Sequence, residues 1–327
     1  GSRLAQAAFV PAEAPPRGPA SSPCRMAPVL LAQPASPAYW GGGEPRALWH
    51  ALPAELLAAP QPRYVQAPCC QQPPVLAAPR QHPPRNPLRL QLAPAGHGGQ
   101  TALPAPGDLR VDWQGRYAFI LAPEALEPGR PLPLLLALHG CWAEKSPADI
   151  ADYVASYRRL ANEAHIVVLV PISCEHTWDF LTSQCTKRVD LDFLEVAMNE
   201  TRKLFPIDDG RIAVVGLSDG ASYGLSLALN NPDVFQAAML WATGFCHQPP
   251  GGAGVPGAGP KLFMWHGTED QVFNFRELAL PLRDSLVASG YSVQYHAEEG
   301  GRHRGPSTDS EFMRTSIKFW FALPRRT

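Results

Sequence analysis

Ser218, held between two glycines in Gly216-Leu217-Ser218-Asp219-Gly220, is the residue in this 327-residue chain best placed to do chemistry. A serine hydroxyl is a weak nucleophile and needs a base, which in turn needs an acid to orient it. The five-residue pattern alone is common, so its flanks carry the weight. Ile212 to Val215 is a short apolar, β-branched run that predicts a buried strand. Ala221 to Leu229 places small and apolar residues at helical spacing. Strand, sharp turn and helix are the setting of a nucleophile elbow. The glycines let strand and helix approach closely and leave the Ser218 hydroxyl exposed. The backbone N–H of Asp219 would then lie at a helix N-terminus, where it can stabilise an oxyanion.

With such an elbow, the acid and the histidine follow the serine in that order. The histidines after Ser218 are His247, His266, His296 and His303. His296 alternates within a predicted strand and reads as structural. His247 and His266 precede any suitable acid. His303 follows that strand in Gly-Gly-Arg-His-Arg-Gly, where flexible glycines let a side chain reach across. The strand Lys261–Trp265 runs into His266-Gly267-Thr268-Glu269-Asp270, which offers Glu269 and Asp270, and Asp270 is the choice. Taken singly, the acid is a polar turn and His303 a solvated loop residue. Three candidates in the required order, each just past a strand, outweigh that reading. A second oxyanion donor is expected from the loop that opens His139-Gly140-Cys141-Trp142, with the N–H of Cys141 as donor. Cys141 as a nucleophile is the weaker alternative, because nothing in the pattern lowers its thiol pKa.

These residues need a scaffold that delivers them to one edge. Leu109–Trp113 and Tyr117–Leu121 read as a hairpin turning at Gln114-Gly115. Pro131–His139 and Ile166–Val170 are nearly continuous apolar runs, as strands buried on both faces should be. Further strands are expected at Phe235–Trp241, Lys261–Trp265 and Ser292–His296. Helices are expected at Pro147–Ala164, Val189–Leu204, Phe275–Ser289 and Ser310–Phe321. Alternating strands and helices imply a mostly parallel sheet with helices on both faces, binding its ligand beyond the carboxyl ends of the strands. The longest connection, Thr243 to Pro260, is a Gly- and Pro-rich loop and too short for a large lid.

The chain at this point resembles the α/β-hydrolase serine esterases of the phospholipase/carboxylesterase type. It is similar as well to their polyhydroxybutyrate depolymerase and feruloyl esterase-like relatives. The resemblance runs from about Leu134 to Phe321. It rests on Leu138–Cys141 (LHGC), Thr177–Asp179 (TWD), Gly216–Leu229 (GLSDGASYGLSLAL), His266–Asp270 (HGTED) and Gly300–His303 (GGRH). The resemblance implies an α/β-hydrolase fold and a Ser218–Asp270–His303 triad, with Cys141 and Asp219 N–H groups as the oxyanion hole. The implied activity is carboxylic ester hydrolysis through an acyl-enzyme, without metal or organic cofactor. Trp142, Trp178 and Phe273 lie in loops at the carboxyl edge and are expected to line an acyl or aromatic pocket, with ordinary loop packing as the alternative.

Residues 1–106 differ from the catalytic domain expected at 107–327. Residues 1–107 hold 22 of the 37 prolines, no lysine and no aspartate. With eight Arg against three Glu they carry about +5, leaving about −6 for the remainder. Proline blocks helix and sheet interiors, so an irregular Pro-rich extension is expected, with one short helix at most near Arg46–Ala59. If it serves a purpose, Trp40, Trp49 and Tyr64 could adsorb to a polymer. That makes a polyester or polysaccharide-linked ester hydrolase the alternative to a simple esterase, and a catalytically silent binding protein the rival from another class. The net charge of −1 gives no field for nucleic acid, and no run of 18 apolar residues predicts a transmembrane helix. Seven cysteines fit no metal spacing. Cys174 and Cys185 are close enough in sequence to bridge the loop carrying Trp178. The opening Gly1-Ser2 reads as a cloning remnant, and a soluble protein in a secreted or periplasmic location is expected.

Overall fold

The computed structural model describes residues 86–93, 108–127, 129–142, 146–182, 188–247, 259–303 and 310–326. All of them fall within one compact unit. The expected helix at Arg46–Ala59, the aromatic residues Trp40, Trp49 and Tyr64, and Cys185 lie outside the described residues.

Eight strands form one sheet: β1 (Asp108–Trp113), β2 (Arg116–Leu121), β3 (Leu132–Leu138), β4 (Val167–Pro171), β5 (Ile207–Leu217), β6 (Ala237–Trp241), β7 (Lys261–Gly267) and β8 (Val293–Glu298). The order across the sheet is β1-β2-β4-β3-β5-β6-β7-β8. From β4 to β8 every pairing is parallel, and only β2 runs against its neighbours. The β1–β2 hairpin turns where expected. Gln114 and Gly115 both take positive φ, at 49° and 78°, as a tight hairpin turn requires.

Helices cover both faces, which is why the central strands are apolar at successive positions rather than alternate ones. In β3, Leu134, Leu136 and Leu138 point into one core with α3 (Val189–Leu204), α4 (Asp219–Asn230) and α5 (Leu280–Ala288). Leu135 and Ala137 point into the other, with α1 (Pro147–Ala164) and α6 (Glu311–Ala322). A four-residue α2 (Asp179–Thr182) was not expected. The helix expected over Phe275–Ser289 is present and opens with a wider turn. Phe275–Ala279 makes a π-helical turn capped by Asn274, and α5 starts only at Leu280. Pro281 has no N–H to bond the Glu277 carbonyl four residues back, so the α-helical ladder is taken up only beyond it.

Asn86–Ala93, expected within the irregular extension, packs against the sheet and its helices. Leu88 and Leu90 are buried in the core that holds α3 and α4. Asn231 clamps the strip in both directions: Leu90 N–H donates to its Oδ1 at 2.7 Å, and its Nδ2 donates to the Leu88 carbonyl at 2.8 Å. Gln91 N–H donates to Glu195 at 2.8 Å and Ala93 N–H to Asn199 at 3.0 Å. The composition of residues 1–107 hid this strip, because two leucines among prolines have no periodicity to read.

Candidate active site

β5 ends in Leu217, and Ser218 occupies the turn into α4 with φ 55° and ψ −118°, a backbone conformation that costs energy for any residue with a Cβ. The chain can turn this sharply because its flanks lack side chains. A Cβ on Gly216 would lie 2.3 Å from the Gly220 carbonyl oxygen, and one on Gly220 would lie 2.3 Å from the carbonyl oxygens of Leu138 and His139. Both distances are well inside contact, so the elbow and the end of β3 fit together only as glycines. Ser218 N–H donates to the Trp241 carbonyl at 2.9 Å, tying the elbow to β6.

His303 lies between Ser218 and Asp270. Its Nε2 is 2.9 Å from Ser218 Oγ and its Nδ1 is 2.7 Å from Asp270 Oδ2. A carboxylate can only accept here, so Nδ1 carries the proton and Nε2 is left to accept from the serine hydroxyl. The Asp270 side chain is fully buried, yet each of its oxygens has partners. Oδ1 accepts from Val272 N–H and Phe273 N–H, both at 2.8 Å. His266 Nε2 is 3.1 Å from Oδ2 and 2.8 Å from the Phe273 carbonyl oxygen. Glu269, the other acid considered, is exposed and faces Arg302 at 3.8 Å instead.

The loop after β3 lies against the elbow: a Cβ on Gly140 would be 3.4 Å from Ser218 Cβ. His139 fixes this loop. Its Nε2 accepts from Ser173 N–H at 3.1 Å, so its Nδ1 is the protonated nitrogen and donates to the Gly140 carbonyl at 2.6 Å. In a trans peptide the carbonyl and the following N–H point in opposite directions, so holding the Gly140 oxygen also aims the Cys141 N–H. As the first residue of α4, Asp219 has an N–H with no carbonyl inside the helix to bind. Its carboxylate accepts from Thr177 Oγ1 at 2.7 Å. Burial, and then the Asp219 charge, push the Cys141 thiol up from its ordinary value, which keeps it protonated and a poor nucleophile.

Of the three aromatic residues expected to line a pocket, the structure separates one from the others. Trp178 is completely buried, stacked on Tyr223, and its Nε1–H donates to the His139 carbonyl at 2.9 Å. It underlies the site and does not line it. Trp142 is half-buried and stacks flat on His139 at 3.9 Å between ring centres. Phe273 is half-buried, edge-on to His303 at 5.4 Å and to Phe245 at 5.9 Å. Phe245 is exposed and was not singled out from the sequence.

The model of the Esterase family matches residues 113–283, more than half of the chain. The chain belongs to the Esterase family. It is a serine ester hydrolase with the α/β-hydrolase fold. This esterase is similar in fold to the fluorophosphonate-binding serine hydrolase FphF of Staphylococcus aureus, with 17% identity and a TM-score of 0.50 over 65% of this chain and 96% of that one. S-formylglutathione hydrolase (FrmB) of the same organism aligns at 16% identity over 65% of this chain and 96% of that one, with a TM-score of 0.49. The Bacillus cereus carboxylesterase aligns at 19% identity over 63% and 93%, with a TM-score of 0.45. No curated protein matches the sequence. Among the described residues of the esterase, no helix is long and apolar enough to cross a membrane.

Sequence reading gave His139 and His266 no chemical part in the esterase. Each is the histidine of a His-Gly pair that closes a strand, His139-Gly140 after β3 and His266-Gly267 at the end of β7. That repetition was the available signal. Both imidazoles are buried and each touches a group beside Ser218: His139 the Gly140–Cys141 loop, His266 the Asp270 carboxylate.

Proposed function

We propose that this esterase hydrolyses carboxylic esters through an acyl-enzyme on Ser218, with His303 as base and Asp270 as its orienting acid. The observation that carries the reading is the position of His303, with one ring nitrogen 2.9 Å from the Ser218 hydroxyl and the other 2.7 Å from a buried carboxylate. His303 Nε2 takes the serine proton as Oγ attacks the ester carbonyl. The N–H groups of Cys141 and Asp219 hold the oxyanion of the tetrahedral intermediate. The imidazolium, stabilised by Asp270, then protonates the departing alcohol. Water repeats the sequence on the acyl-enzyme and frees the acid. Trp142, Phe273 and Phe245 are the aromatic walls proposed to meet the substrate. Thioesters fall within the same chemistry.

The test is turnover of a chromogenic short-chain ester together with labelling by a fluorophosphonate. Ser218→Ala should lose roughly 10⁴- to 10⁶-fold in kcat and take up no label while melting as the parent does. Labelling located by mass spectrometry on any residue but Ser218, or turnover of the variant within about tenfold of the parent, overturns the reading.

A further inference from the structure

The triad reading leaves one buried ionisable side chain in contact with the triad and without a task. His266 closes β7, four residues before Asp270, and its imidazole is only 2% exposed. Its Nε2 has two neighbours within hydrogen-bond distance, Asp270 Oδ2 at 3.1 Å and the Phe273 carbonyl oxygen at 2.8 Å. Both are acceptors, so Nε2 must carry a proton; the Phe273 carbonyl takes the well-aligned bond and Asp270 Oδ2 the weaker share. Asp270 Oδ2 is thereby contacted from two sides by N–H groups, His266 on one and His303 on the other. Phe273 is tied in as well, since its N–H donates to Asp270 Oδ1 and its ring meets His303 edge-on.

We infer that His266 is a positioning residue for the reaction: its Nε2–H fixes the plane of the Asp270 carboxylate and shares the charge on Oδ2 with His303. The inference rests on the triad reading above and assigns a further residue to it. The titratable groups facing His266 are Asp270 and His303. Those facing His303 are Asp270, His266 and Ser218, with the exposed Arg302–Glu269 pair beside it. Burial is the largest influence on His266 and lowers its proton affinity, which favours the neutral ring, a hydrogen-bond donor that adds no positive charge beside His303.

The sign of the effect follows. An N–H donated to Oδ2 draws off part of the negative charge that stabilises the imidazolium of His303. Without it the carboxylate holds that proton more strongly, and the inactive protonated form persists to higher pH. The acid limb of kcat/KM should move up, and the freed carboxylate should lose its fixed orientation.

The experiment compares His266→Gln with His266→Met in the full chain. A glutamine amide can take the place of Nε2–H, and methionine fills similar space without a donor. Expected for the Met variant is a loss in kcat/KM of roughly 10- to 100-fold and an acid limb raised on the order of half a pH unit. The Gln variant should keep the parent's limb and most of its rate. If Met does not fold, His266→Asn carries the test, since its amide is too short to reach Oδ2. An acid limb that stays in place or moves down, or a Gln variant that behaves like Met, overturns the inference. Ser218→Ala run in parallel separates the two readings: if it retains turnover, the triad itself fails, and if it is inactive while the limb of the Met variant stays, only the part given to His266 fails.

Discussion

A Cβ placed on Gly267 would lie 2.2 Å from the carbonyl oxygen of Gly301, so the end of β7 and the loop before His303 cross at backbone contact. Hydrogen bonds lace the crossing. Thr268 N–H donates to the Glu298 carbonyl at 2.9 Å, Glu269 N–H to the Gly301 carbonyl at 2.8 Å, and Gly300 N–H to Thr268 Oγ1 at 2.9 Å. One segment carries Asp270 and the other carries His303, so this crossing sets the distance between the two side chains.

Gly267→Ala should therefore act on catalysis more than its size suggests. The methyl group meets backbone that cannot rotate away, and the two loops must part by several tenths of an ångström or more. Displacements of that order cost up to roughly 100-fold in rate. The expected result is a fall of about 10- to 100-fold in kcat, with stability lowered by about 1–3 kcal/mol. Steady-state kinetics and denaturant melts on the variant measure both, and parental kcat would show that the crossing is dispensable.

Two truncations test the strip that ends the N-terminal region. We propose that the domain begins near residue 86. A chain starting there keeps Leu88, Leu90 and the clamp from Asn231. A chain starting at residue 105 exposes the core beneath both leucines and leaves the buried Asn231 amide short of three partners, on Leu88, Arg89 and Leu90. Burying one leucine is worth about 1.5–3 kcal/mol, so the shorter chain should lose on the order of 3–5 kcal/mol. Urea melts decide it. Equal midpoints for the two chains would mean that the strip adds nothing.

Much of this organisation was legible from residue order alone. Continuous apolar runs such as Leu134–Leu138 announced doubly covered parallel strands, and the elbow glycines announced the turn at Ser218. Chain order and their places just past β7 and β8 pick out Asp270 and His303, whose side chains the structure brings into line with Ser218. What escaped were features fixed by tertiary contact. Leu88 and Leu90 have no local pattern and are ordered by Asn231, 141 positions away in the case of Leu90. Trp178 belongs to a loop and so looked available to substrate, yet an acceptor on His139 draws it inward. The roles open to His139 and His266 depend on which nitrogen meets which partner, and no spacing encodes that.

Asp179, which follows the buried Trp178, exchanges hydrogen bonds with Asp190. Asp179 N–H donates to Asp190 Oδ2 at 2.6 Å and Asp190 N–H to Asp179 Oδ2 at 3.1 Å, while Arg116 pairs with Asp190 Oδ1. Burial first, and then the Asp190 charge, push the Asp179 carboxyl from 3.8 up to about 6. Because its folded value lies above the unfolded one, its contribution to stability is complete below about pH 3.8 and is lost as pH rises through about 6. Asp179→Asn stays neutral throughout and can still accept from Asp190. The variant should match the parent near pH 4 and melt higher by roughly 2–4 °C at pH 8, after discounting for solvent screening. Thermal melts across that range check it, and a difference that does not grow with pH contradicts it.

Shortening Trp178 distinguishes a pocket wall from a support beneath the site. If it lined the acyl pocket, shortening it would change which esters bind. Its ring is instead enclosed, stacked at 5.2 Å on Tyr223, and its single donor holds the carbonyl of His139, the residue whose Nδ1 in turn holds the Gly140 carbonyl. Trp178→Phe keeps an aromatic ring in place but leaves the buried His139 carbonyl without that donor, a loss of about 1–3 kcal/mol in stability. The loop that aims the Cys141 N–H is loosened with it. Loss of one oxyanion donor outright costs about 10²–10³ in kcat, so partial misalignment should cost on the order of tenfold. KM and the order of preference among acyl chains should stay as in the parent, because no surface that meets substrate has changed. Kinetics on a series of chromogenic esters from acetate to octanoate measure this. A shift in preferred chain length at unchanged kcat would place Trp178 in the pocket after all.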